Sequence, residues 1–461
     1  MRRVALLCLL AAACTEKPNL VARESAVAST VIHDVAVLDV VTGTVTPGRD
    51  VRIEGGRIVS IGPAAKDVEA AEVVDGKGAT LLPGLIDFHG HTGSNPEPPW
   101  DAGLPNGALN LQRYLFCGIT HVFDPGGFDE EVFERRADLA AGEVLGPHLF
   151  VAGPVFTAPA GHPVPMFEQN LPSLIGWYII DHSTRQVGTA DAAKTAVREL
   201  LPSQPDLVKM AIDRIPESAP RLDPQVAKAI VEAAKEGGVR TVAHIGTTQD
   251  AIDAADAGIA AWIHGVYKER IPDDKIEKLA GYGIPMAPTL VVFDSYATLG
   301  REPRVPTKLE RAMVPAEKLA SYDQRPEDFD VNPELLQMIE VMAEQRKAGL
   351  DNVRRLHAAG VTILAGSDAQ AGVFHGAGLH RELRLLEKAG LPRAEVLRAA
   401  TLYTARFLTK QDDPPFGVVA EGKAADLLLV NGDPTKDLGA LEDIRAVFLS
   451  GQKIERKLSS R

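Results

Sequence analysis

The segment Leu81-Leu82-Pro83-Gly84-Leu85-Ile86-Asp87-Phe88-His89-Gly90-His91 decides how this chain is read. An apolar run of strand length ends on two histidines that stand two residues apart. Side chains alternate along a strand, so residues i and i+2 leave the same face. His89 and His91 therefore converge at one end of a buried strand, a place suited to holding a divalent cation. Alone, a His-x-His is a weak signal. It gains weight from Lys209, His244 in Val242-Ala243-His244, His264 in Trp262-Ile263-His264-Gly265, and Asp368 in Leu364-Ala365-Gly366-Ser367-Asp368. Each sits in or at the end of its own short apolar run, so the set is delivered one strand at a time.

Outward from this segment, strand-like runs lie at 120–124, 148–153, 207–212, 239–245, 261–265, 284–290 and 361–366. Amphipathic runs at 224–236, 273–280, 333–359 and 381–389 lie between them. With the strand before His89 this makes eight, and strand–helix alternation implies a parallel sheet. The span 82–410 has the length of a (β/α)8 TIM barrel with insertions, whose active sites form at the C-terminal ends of the strands, where these candidates fall. A doubly wound open sheet is the competing α/β architecture, but no Gly-x-Gly-x-x-Gly opens a strand–helix turn. Residues 31–81 and 411–461 carry short β-type runs at 31–41, 51–54, 57–61, 73–74, 426–430, 444–450 and 451–454. Gly43, Gly48, Gly55-Gly56 and Pro63 punctuate the first of these in a meander pattern. The simplest account pairs the two chain ends into one small β-sandwich domain beside the barrel.

The chain has 461 residues, 45% apolar and 24% charged, enough for a large core and more than one domain. A net charge of −13 without a long basic run argues against a nucleic-acid partner. Arg2 and Arg3 precede an apolar stretch at 4–13 that is too short to span a membrane but fits a secretory signal over 1–13. Cys14, directly after Ala11-Ala12-Ala13, resembles a bacterial lipobox. That resemblance implies lipid on Cys14 and an exported protein of the cell envelope or periplasm, and Thr15 resembles the residue found in outer-membrane lipoproteins. Ordinary cleavage to a soluble exported protein is the alternative. Residues 14–30 read as a tether. Loss of Cys8 with the signal leaves Cys117 as a lone thiol candidate, so no intramolecular disulfide framework forms. No other run is long enough to cross a bilayer, and the oligomeric state, a homo-oligomer included, is left open.

Taken in order, the pieces resemble the amidohydrolase superfamily over nearly the whole mature length. They are the 82–91 segment, Gly118-Ile119-Thr120, Lys209, His244, His264, Gly366-Ser367-Asp368, His380-Arg381-Glu382-Leu383, Ala399-Ala400-Thr401 and Gly422-Lys423-Ala424-Ala425-Asp426-Leu427. Within it the chain looks most like the imidazolonepropionase-like and prolidase-type (Xaa-Pro or Xaa-Arg dipeptidase) branch. The resemblance implies two divalent ions, usually zinc, with His89, His91 and Asp368 on the more buried one, His244 and His264 on the outer one, and Lys209 between them. Mn, Co or Fe also suit mixed nitrogen and oxygen donors. An ammonium has no lone pair for a metal, so Lys209 can bridge only as the carbamate its neutral amine forms with carbon dioxide. Its plainer reading is a buried lysine paired with a carboxylate.

The chemistry so implied is metal-dependent hydrolysis of amide C–N bonds in small substrates, dipeptides or N-acyl amino acids. A bridging water is activated by the two cations, and Asp368 moves its proton to the leaving nitrogen as general base and acid. A carboxylate capping the next helix is the structural alternative for Asp368. Two other functions stay open: a cyclic amide, lactone or ester hydrolase on the same centre, and a non-catalytic metal- or solute-binding lipoprotein of the envelope. His162 in Gly161-His162, which resembles a Gly-Gly-His segment of relatives, is a substrate-binding candidate, as are Tyr267 and His375. Asp87 shares the face of His89 and His91 and can orient an imidazole. His357 and His380 fall in helical runs and read as packing; His33, His121, His148 and His182 read as structural.

Overall fold

Short apolar strands alternating with amphipathic helices can bury both faces of their sheet by closing it inside a ring of helices. In the computed structural model, which describes residues 19–457 apart from 102, 104 and 328–331, they do so. The signal reading over 1–13 and the lipid reading at Cys14 lie outside the described residues. The staves are Leu85–Asp87, Ile119–Asp124, His148–Val151, Leu207–Ala211, Arg240–His244 and Ala261–Trp262, followed by single-residue bridges at Met286 and Ile363. Neighbours pair in parallel, as at Ile86–His121, His121–His148, Lys209–Val242, Val242–Ala261, Trp262–Met286 and Met286–Ile363. The third and fourth staves join where Asp206 N donates to Val151 O at 2.9 Å, and the ring closes where Phe88 N donates to Ala365 O at 2.8 Å. This is the expected (β/α)8 barrel.

Two staves are shorter than their apolar runs suggest. In 284–290, Pro285 and Pro288 have no N–H to give a ladder. Pairing shrinks to Met286, and the chain turns through Thr289 at φ +48° into the helix Leu290–Thr298. In 361–366 only Ile363 bridges, because Ala365 N bonds Ala399 O instead. An addition not expected from sequence is the pair Val155–Thr157 and Thr184–Gln186, which leans on the fourth stave through Phe156–Met210.

Side-chain alternation places the site. Phe88, Phe123, Leu207, Val242, Ile263 and Leu364 gather into one apolar cluster, with Tyr403 and Phe407 of the helix Leu402–Thr409 packed against it. Lys209 and His244 follow Leu207 and Val242 by two residues. They share that inward face but lie one layer nearer the C-terminal mouth. The helices are set locally: on Pro224–Glu236, Asp223 accepts from Gln225 N and Val226 N, and Pro224 opens the first turn.

The two chain ends form one nine-stranded sheet. In spatial order it runs Val21–Arg23, Gln452–Arg456, Ile444–Leu449, Leu427–Asn431, Ala79–Pro83, Thr30–Asp39, Thr44–Glu54 and Arg57–Pro63, with Glu72–Asp75 also beside Thr30–Asp39. The meander expected of its first part covers 30–63. Glu72–Asp75 and Ala79–Pro83 instead run parallel to Thr30–Asp39, after the chain crosses back through 64–71. Within the stretch read as a tether, Val21–Arg23 pairs with 454–456. Ile32, Val51, Ile58, Leu81, Leu427, Leu429 and Phe448 give this sheet a core of its own. Ala79–Pro83 continues through Gly84 into the first stave, so one stretch of chain joins that core to His89. Among the described residues, no helix is long and apolar enough to cross a membrane.

Candidate metal centre

The first and last staves meet at the mouth so closely that a Cβ on Gly366 would lie 2.8 Å from His89 Cβ and 3.0 Å from His89 N. Only glycine fits there without moving a backbone. Asp87, fully buried, stitches the two ends together. Its carboxylate accepts from His89 N at 3.1 Å, Ser367 N at 2.9 Å and Ser367 Oγ at 2.5 Å. On the ends so fixed, His89 Nε2 lies 3.3 Å from His91 Nε2 and 3.5 Å from Asp368 Oδ1, and His91 Nε2 lies 3.1 Å from that same oxygen. Asp368 itself sits at φ +50°, a conformation non-glycine residues rarely take and one that marks functional turns. Its N–H donates to His89 O at 2.6 Å.

The other staves bring their residues to the same point. The His264 ring centre is 4.6 Å from that of His89 and 4.0 Å from that of His244. Ligand atoms of His89, His264 and Asp368 all lie within 4.8 Å of one another. Lys209 is buried and acts by charge on His89, His91, His244, His264 and Asp368 alike, which sets it among them. All six sequence-derived metal candidates are thus gathered at one place.

Three of the four imidazoles have a hydrogen-bonded orienting partner, as ligand histidines require. His89 Nδ1 meets Ile263 O at 2.9 Å, His91 Nδ1 meets Gly126 O at 3.2 Å, and His264 Nδ1 meets Thr289 Oγ1 at 2.6 Å. His244 Nε2 is 3.4 Å from Asp213 Oδ2 and, though buried, makes no hydrogen bond. Burial holds His89 and His264 well below the usual imidazole range, and lowers His244 against the pull of Asp213. Those rings are neutral and keep a lone pair. His91 is the exception: burial lowers it, but the Asp368 carboxylate outweighs burial and raises it. Burial would push Asp368 up, yet His89, His91 and Lys209 hold it well below the carboxylate range. Burial brings Lys209 down to about 7, where an amine exists partly without its proton. Neutral imidazole nitrogens beside a charged carboxylate form a donor set that fits divalent metal.

The remaining candidates surround this cluster. The half-buried ring of His162 lies 4.7 Å from that of His244, with its buried Nδ1 unbonded. The Tyr267 hydroxyl donates to Asp213 Oδ2 at 2.6 Å, and its ring stacks on Phe293 at 3.9 Å. His375 is buried behind the first stave, where Nε2 donates to His91 O at 2.8 Å. His380 bonds Cys117 O in the core, and Cys117 is itself buried. Three residues absent from the sequence reading matter here. Asp213 joins His244, Tyr267 and Lys268, the last at 2.8 Å. Asp124 accepts from Thr92 N at 2.9 Å and Thr92 Oγ1 at 2.6 Å, holding the turn after His91. Thr289 orients His264. Asp213 and Asp124 do end apolar runs, a signal that could have flagged them; Thr289 gives none.

The amidohydrolase family model matches residues 80–454, and the chain belongs to that family. That family generally works with divalent metal, and the described residues include a His/Asp group able to take one. Among solved structures, a prolidase complexed with N-methylphosphonate-L-proline is 24% identical with a TM-score of 0.74, covering 93% of this chain and 100% of that one. An amidohydrolase is 26% identical at TM-score 0.73, covering 94% and 100%. A Xaa-Pro dipeptidase with methionine bound in its active site is 22% identical at TM-score 0.73, covering 92% and 99%. Adenine deaminase of Escherichia coli is 38% identical over 114 residues, 23% of this chain and 18% of that enzyme. The chain therefore matches less than a fifth of the length of these curated relatives.

Proposed function

We propose that this protein hydrolyses the amide bond of dipeptides or N-acyl amino acids at a two-metal centre held by His89, His91, Lys209, His244, His264 and Asp368. One observation carries the proposal: a buried lysine at the mouth of the barrel is coupled by charge to His89, His91, His244, His264 and Asp368 together. A lysine there bridges two metals only as a carbamate, which offers two oxygens where the neutral amine offers a single nitrogen. Two divalent ions, zinc by the preponderance of histidine, would bring the pKa of a shared water toward neutrality and polarise the scissile carbonyl.

The protein's own groups do the rest. Asp368, kept ionised by its neighbours, takes the proton of the attacking water and delivers it to the leaving nitrogen. Its strained backbone and its bond from Gln370 Nε2 at 3.0 Å fix the carboxylate for both transfers. His162, with an unbonded Nδ1 beside His244, receives the substrate, and Asp213 and Tyr267 hold His244 from behind. His375 acts through the backbone of His91. The likeness to a prolidase and a Xaa-Pro dipeptidase supports a dipeptide. The export reading of residues 1–14 adds a place of work in the cell envelope, with lipid on Cys14.

A library of Xaa-Pro, Xaa-Arg and other dipeptides with N-acyl amino acids tests this. Metal-loaded protein is expected to release free amino acid from some members, and chelation is expected to stop it. Turnover of none, or turnover indifferent to chelation, overturns the reading. Isotopically labelled bicarbonate is expected to give a carbamate carbon resonance that Lys209→Ala lacks.

A further inference from the structure

We propose that His121, His148 and Asp426 form a second, separate cation site at the opposite end of the barrel, where a divalent transition ion such as zinc joins the barrel to the β-sheet domain. His121 lies on the second stave and pairs in register with His148, the first residue of the third stave. Both therefore stand in the N-terminal halves of their strands, away from the mouth. Asp426 comes from the other domain, immediately before the strand Leu427–Asn431. Ligand atoms of the three residues all lie within 4.8 Å of one another.

The distances separate a metal site from a hydrogen-bonded trio. His148 Nε2 is 3.3 Å from Asp426 Oδ1, and His121 Nε2 is 3.8 Å from Asp426 Oδ2. A charged N–H···O bond draws its atoms to about 2.7–2.9 Å. Both contacts are wider than that. Donors arranged tetrahedrally at about 2.0–2.1 Å from one zinc ion stand about 3.3 Å apart; the His148 contact has that spacing and the His121 contact is 0.5 Å wider. Both imidazoles turn Nε2 to the same carboxylate.

Charge points the same way. Asp426 is 4% exposed, and among the described residues its ion-pair partners are these two imidazoles alone, with no lysine or arginine. Its Oδ1 also accepts from Ser450 N at 2.6 Å. A buried carboxylate needs a positive partner, and a cation between the three side chains supplies it. The rings are held as ligand rings are. His121 Nδ1 meets Thr120 Oγ1 at 3.0 Å, and its ring stacks on Phe416 at 3.9 Å. His148 is 43% exposed on its side chain, so an ion can enter from solvent. Ser450 Oγ, 3.4 Å from His148 Nε2, and water remain for a fourth position.

The test uses the full chain, stripped with chelator, reloaded with zinc, desalted, and analysed for zinc per chain. His148→Gln, at an exposed position, and Asp426→Asn are each expected to hold one zinc fewer than wild type, whatever number the mouth retains. His148→Cys, which returns a zinc donor, is expected to recover it. In zinc-loaded crystals an anomalous peak is expected between the three side chains. An equal zinc count in wild type and His148→Gln, or an anomalous map without that peak, overturns the proposal. Should Asp426→Asn fail to fold, the two His148 variants decide alone.

Discussion

Thr289 shows how much of the centre rests on a residue with no chemistry of its own. A β-branched residue at φ +48° is an outlier, and here it aims a hydroxyl at His264 Nδ1, 2.6 Å away. Thr289→Val keeps the branched shape and removes that partner. It is expected to lower kcat/KM and metal affinity by roughly 10- to 100-fold, with Thr289→Ser recovering most of both; steady-state kinetics and metal titration read the outcome. Asp368→Asn keeps an oxygen donor but cannot take a proton. It is expected to cut kcat by about 10²- to 10⁴-fold at wild-type metal content, and near-normal turnover with metal bound would remove Asp368 from its role. The contrast explains what was legible in sequence. His89, His91, Lys209, His244, His264 and Asp368 each end or interrupt an apolar run, so strand alternation alone gathers them. Asp213 also ends an apolar run, whereas Thr289 acts through a turn at φ +48° set by packing across the barrel, which no local pattern encodes.

At the level of elements, the site is a matter of how closely the first and last staves approach. Gly366→Ala puts a methyl against the Cβ and nitrogen of His89, where backbone has to shift. The expected cost is about 1–3 kcal/mol, read as a lower Tm, together with weaker metal binding because His89 and Asp368 separate. The helix Ala377–Lys388 reaches the site more gently: Glu382 Oε2 accepts from Val291 N at 2.8 Å and so anchors the start of the helix after Thr289. Burial raises the Glu382 carboxyl from 4.5 to about 8, and its Oε1 has no partner. Between those two values the folded state holds a proton that the unfolded state has released. Stability is therefore greatest below about pH 4.5 as far as this group is concerned, and falls as pH rises toward 8. Glu382→Gln retains the acceptor without the charge. Its stability, followed by Tm, is expected to gain on wild type from pH 5 to about pH 8 and then level off, by roughly a few kcal/mol at the upper end, and parallel Tm–pH curves would refute this. The helices Pro224–Glu236 and Pro333–Ala358 follow their amphipathic runs closely, whereas the runs at 284–290 and 361–366 overstate their strands. Apolar composition reports burial, and it cannot distinguish a ladder strand from a buried turn through Pro285 and Pro288.

Across the whole molecule, stability and chemistry are linked because the proposed centre would draw its ligands from the first, fourth, fifth, sixth and last staves. Ions that bind there bind the folded barrel alone, so their binding energy is folding energy. An ion present at a thousandfold excess over its dissociation constant adds about 4 kcal/mol. With an unfolding entropy of about 2 cal/mol/K per residue, loss of two such ions from a chain of 461 residues is expected to lower Tm by roughly 8 °C. Continuity of the chain adds a sharper expectation. Ala79–Pro83 is an inner strand of the nine-stranded sheet and runs directly into Leu85–Asp87, while Leu427–Asn431, from the other end of the chain, pairs with it residue by residue from Leu427–Pro83 to Asn431–Ala79. The sheet domain and the first stave therefore share a backbone that neither can release by itself. Calorimetry with and without chelator is expected to show one transition that moves down as a unit. A second transition, unmoved by chelator and assignable to the sheet by hydrogen exchange at Ile32, Leu81 and Leu429, would mean that the metal centre is held by the barrel alone.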